Sequence, residues 1–196
     1  MTGIVLSGGK GTRIRARKSW LEVDGQPVIK TILARLAEVF PQLIIVTNVP
    51  SEYEALGARC IGDLLVGKGP LAGIYSGVTA AESEFSFLVA NDMPFLDTRL
   101  ISYMVDARDG FDAVVPRVGS LLEPLHALYS KRCLRAIEKH LRENDLRVQS
   151  FLGEVRTRYI EEEEIRKFGD PEAVFFNINR KEDMEAARLI RGRRRE

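Results

Sequence analysis

A short apolar run, Ile4-Val5-Leu6, opens into Ser7-Gly8-Gly9-Lys10-Gly11-Thr12-Arg13, and Lys18 follows closely. Residues of these types in this order suit phosphate chemistry. Glycines let backbone N–H groups come close to a phosphate chain, while the Arg13 guanidinium and the Lys18 ammonium neutralise its charge. The alternative is a solvated turn with scattered cations. A second constellation shifts the balance: Asn91-Asp92-Met93-Pro94 comes directly after another apolar run, Phe85 to Ala90. A carboxylate beyond the carboxyl end of a buried strand can hold Mg²⁺ against phosphate oxygens, because this ion often uses only one or two protein carboxylates. Taken alone, Asp92 serves equally well as a cap for the turn before Pro94. Beside a glycine loop, the metal reading is the better one.

Spacing excludes two familiar phosphate loops. A P-loop needs Gly-x-x-x-x-Gly-Lys-Ser/Thr, which does not occur. A dinucleotide fingerprint needs its glycines to open directly into a helix. Here a cationic stretch, Arg13-Ile14-Arg15-Ala16-Arg17-Lys18, follows the glycines, and the next helical pattern starts only near Pro27. A long phosphate-wrapping loop between strand and helix describes the segment better.

The elements that must position these groups alternate along the chain. Pro27 suits a helix start, with Val28, Ile32, Leu36 and Val39 on one face. Leu43 to Thr47 reads as a strand buried on both sides, Ser51 with Glu54 as a capping box, and Arg59-Cys60-Ile61 as a further short strand. Gly69-Pro70-Leu71-Ala72-Gly73 introduces a helix whose small residues permit close packing on a sheet. Asp97 caps a helix carrying Leu100, Ile101, Met104 and Val105. Strands are expected at 113–116, 125–129 and 155–160, helices from Lys131 and Asp145, and a last helix beginning near Arg180. Strands alternating with helices predict an α/β fold with a mainly parallel sheet.

At 196 residues the chain fits one domain, residues 1–196, large enough for a three-layer core. Apolar residues make up 45%, charged residues 29%, and the formal net charge is +1, so nothing global calls for a nucleic acid or a membrane as partner. No apolar stretch reaches the length of a membrane span and the chain enters a strand at once, so the expected location is cytoplasmic. Cys60 and Cys133 stand far apart without a metal-ligand pattern and read as small buried apolar residues.

Leu6-Ser7-Gly8-Gly9 with Arg13, then Lys18, Asp63, Gly69-Pro70-Leu71-Ala72-Gly73, Asp92-Met93-Pro94, Pro124-Leu125-His126-Ala127-Leu128-Tyr129 and Asn177-Ile178-Asn179 occur in one order across nearly the whole chain. In that order they resemble the molybdenum cofactor guanylyltransferase family. The resemblance implies a Rossmann-like, three-layer nucleotidyltransferase fold that joins the GMP part of GTP to the terminal phosphate of molybdenum-bound molybdopterin and releases pyrophosphate. It implies that Leu6, Ser7, Gly8 and Gly9 belong to the nucleotide loop, and that Arg13 and Lys18 meet the phosphates. Asn48 and Asp63 would sit at the nucleotide, and Asp92 would touch both GTP and Mg²⁺. Asn177 and Asn179 would lie near the acceptor or the metal, their alternative role being to cap and turn the chain.

Two departures stand out. The family commonly has Met-Gly-x-Asp-Lys where this chain has Ile14-Arg15-Ala16-Arg17-Lys18, and usually Ala where Ser7 stands. The first raises the alternative of a non-catalytic relative that only binds the cofactor. A cytidylyltransferase of the same cofactor or a sugar-phosphate nucleotidyltransferase are the alternatives within the same chemistry. Proteins that deliver or accept the cofactor are further partners the reading leaves room for. Transfer to a phosphate needs no general base, since a phosphate monoester has its second pKa near 6, roughly. His126 therefore reads as a hydrogen-bonded structural residue or a pocket wall, and His140 as an ordinary helix-surface residue.

Overall fold

The computed structural model describes residues 1–7, 20–23, 25–178 and 182–193. Gly8, Gly9, Arg13, Lys18 and Asn179 lie outside the described residues, as do the altered Arg15 and Arg17.

The first strand, β1 (Thr2–Leu6), is buried along its whole length. A small hairpin of β2 (Glu22–Val23) and β3 (Gln26–Pro27), which the sequence pattern did not suggest, leads into helix α1 (Val28–Ala37). Then come β4 (Gln42–Val46), β5 (Arg59–Ile61), α2 (Gly69–Ala80), β6 (Phe85–Ala90) and α3 (Thr98–Asp106). The second half holds β7 (Ala113–Val118), β8 (Leu121–Leu122), β9 (His126–Ser130), α4 (Leu134–Arg142), α5 (Val148–Leu152) and β10 (Thr157–Ile160). Short α6 (Glu162–Ile165), α7 (Pro171–Val174) and the longer α8 (Asp183–Arg193) complete the described chain.

The main sheet runs β10-β7-β9-β6-β1-β4-β5, with β8 beside β7. β1 pairs in parallel with both β4 and β6, β4 with β5, and β7 with β10, while β9 runs antiparallel to both of its neighbours. The cause is a short connection. Only a hairpin-length segment joins β7 to β9, and a parallel return would need a crossover of about a dozen residues or more. The expectation of a mainly parallel α/β sheet holds, with β9 inserted in reverse and the two-residue β8 antiparallel to β7.

Alternation along the strands sorts the core into two layers. Val5, Ile45, Phe87 and Val89 face α1 and α3, whereas Ile4, Ile44, Val46 and Leu88 face α2 and α4. Small residues of α2 permit its close approach, as expected. A Cβ on Gly77 would stand 2.9 Å from Ile4 Cγ2, nearer than packed atoms tolerate. Asp97 caps α3 as predicted, its side chain accepting a bond from the Arg99 backbone N–H. Ser51 and Glu54 do not form the expected capping box. Instead two single 3₁₀ turns, Pro50–Glu52 and Glu54–Leu56, flank Tyr53, whose backbone leaves the helical region as its ring enters the core. Cys133 is buried, but Cys60 is only half-buried because β5 is the edge strand. Among the described residues no helix is long and apolar enough to cross a membrane.

Candidate functional site

β1, β4 and β6 are parallel neighbours, so their carboxyl ends share one edge of the sheet. A cavity of about 310 Å³ opens there, the usual ligand position in a parallel α/β sheet. Leu6 ends β1 at its floor, and Asp63, Asp92 and Asn177 line its walls. Four positions chosen from widely separated motifs therefore meet in one place. The start of α2 closes another side through Gly69, Pro70 and Gly73. A Cβ on Gly73 would lie 3.2 Å from Leu6 Cδ2 and 3.7 Å from Asp63 Oδ1, so the glycine keeps this corner open.

Asn48 and Asp63, from the loops after β4 and β5, are locked together. Asn48 Nδ2 donates to Asp63 Oδ2 at 3.0 Å, and the Asp63 backbone N–H returns a bond to Asn48 Oδ1 at 3.0 Å. Asp63 Oδ1 is buried and has no hydrogen-bond partner among the described residues. Burial raises the Asp63 pKa above the ordinary carboxylate value, and the Asn48 bond only partly opposes this. A buried, half-satisfied carboxylate at a cavity wall suits a ligand that brings an N–H donor.

Ser7 is a different case. Its side chain is fully buried and turned into the protein, so only its backbone can belong to a nucleotide loop. The hydroxyl stands 2.6 Å from Tyr53 Oη, and Asn91 Nδ2 donates to it at 2.7 Å. The Asn91 backbone N–H donates to Leu6 O at 3.2 Å. This buried network ties the end of β1, where the glycine loop departs, to the end of β6, where Asp92 follows. Tyr53 carries no motif signal and Asn91 entered only as the neighbour of Asp92, so their link to Ser7 was not legible in the sequence.

Asp92 is joined to the chain's distal part. Ile178 N–H donates to the Asp92 carbonyl at 2.8 Å, which draws Asn177 to the cavity. Asn177 Nδ2 is committed to Phe175 O at 2.9 Å, leaving its amide oxygen as the acceptor end. The Asp92 carboxylate and the Asn177 amide oxygen are hard oxygen donors of the kind Mg²⁺ takes, and phosphates and water usually supply the rest of its shell. Among the described residues no group of three acidic, histidine or cysteine side chains gathers into a metal cage. The residues present thus fit a cation shared with a phosphate-bearing ligand.

Glu123, which precedes the Pro124–Tyr129 motif, also lines the cavity and was not anticipated. Burial pushes its carboxyl up to about 6. The only sequence signal was an acid adjoining a family-like segment. His126 faces the opposite layer, fully buried and in T-shaped contact with the Phe87 and Phe175 rings, whose centroids lie 5.0 and 5.2 Å from its own. Burial drives its pKa down to about 3, so it packs as a neutral ring; its nitrogens have no hydrogen-bond partner among the described residues, contrary to the bonded role expected. His140 is a correction too. It is buried, not on an open helix surface, with Nε2 3.0 Å from Glu154 Oε1 and Nδ1 3.4 Å from Asp145 Oδ2. The chain folds back after α4 and brings both carboxylates onto the ring, which helix periodicity cannot foresee.

Sheet order, helices on both faces and an acidic cavity at the strand ends define a Rossmann-like protein of the nucleotidyltransferase type. A family model described as the MobA-like NTP transferase domain matches residues 3–158, and the chain belongs to that family. It is 40% identical over 189 residues to a probable molybdenum cofactor guanylyltransferase of Pelotomaculum thermopropionicum, covering 96% of this chain and 92% of the relative. Identity is 36% over 190 residues to the molybdenum cofactor guanylyltransferase of Desulfosudis oleivorans, covering 95% and 94%. Among solved structures, molybdopterin-guanine dinucleotide biosynthesis protein A from Archaeoglobus fulgidus superposes with a TM-score of 0.81 at 27% identity, covering 98% of this chain and all of that one.

Proposed function

We infer that this chain transfers the GMP part of GTP to the terminal phosphate of molybdenum-bound molybdopterin and releases pyrophosphate. The names of its relatives support the substrates. The observation that carries the reading is the meeting of Asp63, the start of α2, Asp92 and Asn177 in one cavity at the strand ends.

The nucleophile is a phosphate oxygen that is already anionic near neutral pH, so the protein has no proton to remove. Its task is to bring two anions into line and to offset their repulsion. In this reading Leu6 and the Ser7 backbone start the nucleotide loop, Gly8 and Gly9 supply its N–H donors, and Arg13 and Lys18 pair with the phosphates. Asn48 orients Asp63, whose buried oxygen accepts an N–H from the base. Asp92, with Asn177 or Asn179 beside it, holds Mg²⁺. When bound, that ion neutralises phosphate charge and polarises the reacting phosphorus–oxygen bond. A single domain over residues 1–196 and a cytoplasmic location belong to the same reading.

Titration calorimetry with GTP, CTP and ATP, each with and without Mg²⁺, tests it. Mg-dependent preference for GTP is expected. Preference for CTP would keep the chemistry and change the product, and the absence of any nucleotide binding would overturn the transfer reading.

A further inference from the structure

Glu123 has no part in the reading above, yet its place is well defined. Its backbone N–H donates to Pro116 O and its carbonyl accepts from His126 N–H, both at 3.0 Å, so the side chain leaves a fixed turn. The residue lines the cavity half-buried, and among the described residues its carboxylate has no hydrogen-bond or ion-pair partner. In the sheet, β9 adjoins β6 on the side away from β1, β4 and β5. Glu123 therefore stands across Asp92 from the Asn48–Asp63 pair. Pro124 and Leu125, also on the cavity wall, add an apolar surface beside it.

Both substrates are polyanions, so a bare carboxylate in their cavity repels them unless it meets a cation or N–H donors. The acceptor carries such donors. A pterin ring has a 2-amino-4-oxo edge whose ring N–H and amino N–H point the same way, a match for the two oxygens of one carboxylate. Resting on the transfer reading, we propose that Glu123 is the specificity residue for the acceptor. Its carboxylate accepts two parallel N–H bonds from the pterin edge, while Pro124 and Leu125 pack against the ring. Guanine presents the same donor pattern, and position separates the two: Asp63 has one oxygen committed to Asn48, whereas neither Glu123 oxygen has a partner among the described residues. Apolar walls with one placed polar anchor are the usual build of a small-molecule site.

The test uses the full chain saturated with GTP and Mg²⁺, so that the nucleotide half is filled. Fluorescence titrations compare pterin with lumazine, in which a carbonyl replaces the amino group. Wild type should favour pterin by about tenfold or more, the scale of one lost hydrogen bond to a charged group. Glu123→Gln should bring that ratio close to one with GTP affinity unchanged, while Asp63→Asn should lower GTP affinity and keep the ratio. Glu123→Asp, which retains the charge, should keep part of the preference and guards against a folding defect in the amide variant. Equal binding of the two rings by wild type, or a preference that survives Glu123→Gln, overturns the proposal. So does a Glu123→Gln protein whose one defect is weaker Mn²⁺ binding, since the carboxylate would then serve the cation. Failure of wild type to bind GTP would sink the transfer reading itself and this assignment with it.

Discussion

Replacing Ser7 by Ala removes one oxygen from the middle of a buried network. The Ser7 side chain is inaccessible, its hydroxyl lies 2.6 Å from Tyr53 Oη, and it accepts from Asn91 Nδ2 at 2.7 Å. Both partners are buried, so neither can recover the lost bond from bulk water. A buried group that loses its partner costs about 1–3 kcal/mol. Tyr53 and Asn91 each keep other interactions, so the combined effect should fall near the lower half of the two-group sum, roughly 2–3 kcal/mol. For a chain of this size that corresponds to a Tm lower by about 4–12 °C. Urea unfolding of wild type, Ser7→Ala, Tyr53→Phe and the double variant would measure it. The double variant should be less destabilised than the sum of the singles by about 1 kcal/mol, because one hydrogen bond is counted in both. A Ser7→Ala protein within about 0.5 kcal/mol of wild type, with an unchanged denaturant slope, would refute the network's structural role.

Asp92→Ala should reduce pyrophosphate release by about a hundredfold or more, the scale for losing a charge-stabilising group, and extra Mg²⁺ should recover little of it; near-normal turnover would remove Asp92 from the metal role. Gly73→Ala would set a methyl 3.2 Å from Leu6 Cδ2 beside Asp63 and should weaken GTP binding about tenfold with little change in Tm, by calorimetry and thermal melts. Asp112 accepts from the Arg156 side chain and backbone, and these bonds hold its carboxyl below the ordinary value. A depressed folded pKa stabilises the fold above the unfolded pKa of about 3.9 and ceases to do so as pH falls through the folded value. Asp112→Asn should therefore lose stability at pH 7 and match wild type in strong acid; a constant deficit across that range would contradict the ion-pair account.

The chain's order of elements was legible because each leaves a local trace. Ile4 to Leu6, Leu43 to Val46 and Phe87 to Ala90 are continuous apolar runs, as strands buried on both faces tend to be, and Pro27, Gly69-Pro70 and Asp97 mark helix starts by backbone chemistry. Because ligands meet parallel sheets beyond the strand ends, Asp92 could be set at a site from its place after β6 together with the glycine loop after β1. Asp63 and Asn177 came from motif resemblance, and the fold brings both to that cavity. What the sequence left undecided depends on contacts between distant segments. The Ser7–Tyr53–Asn91 network, the Asn48–Asp63 lock and the Ile178–Asp92 bond each join residues with no local pattern in common. The same is true of environments. His140 sits on a charged stretch yet is buried by carboxylates from beyond its helix, and Glu123 becomes a cavity wall only because a short connection reverses β9 beside β6. Composition and periodicity report what a residue does to its own segment, whereas burial, partners and pKa are set by whatever tertiary packing brings against it.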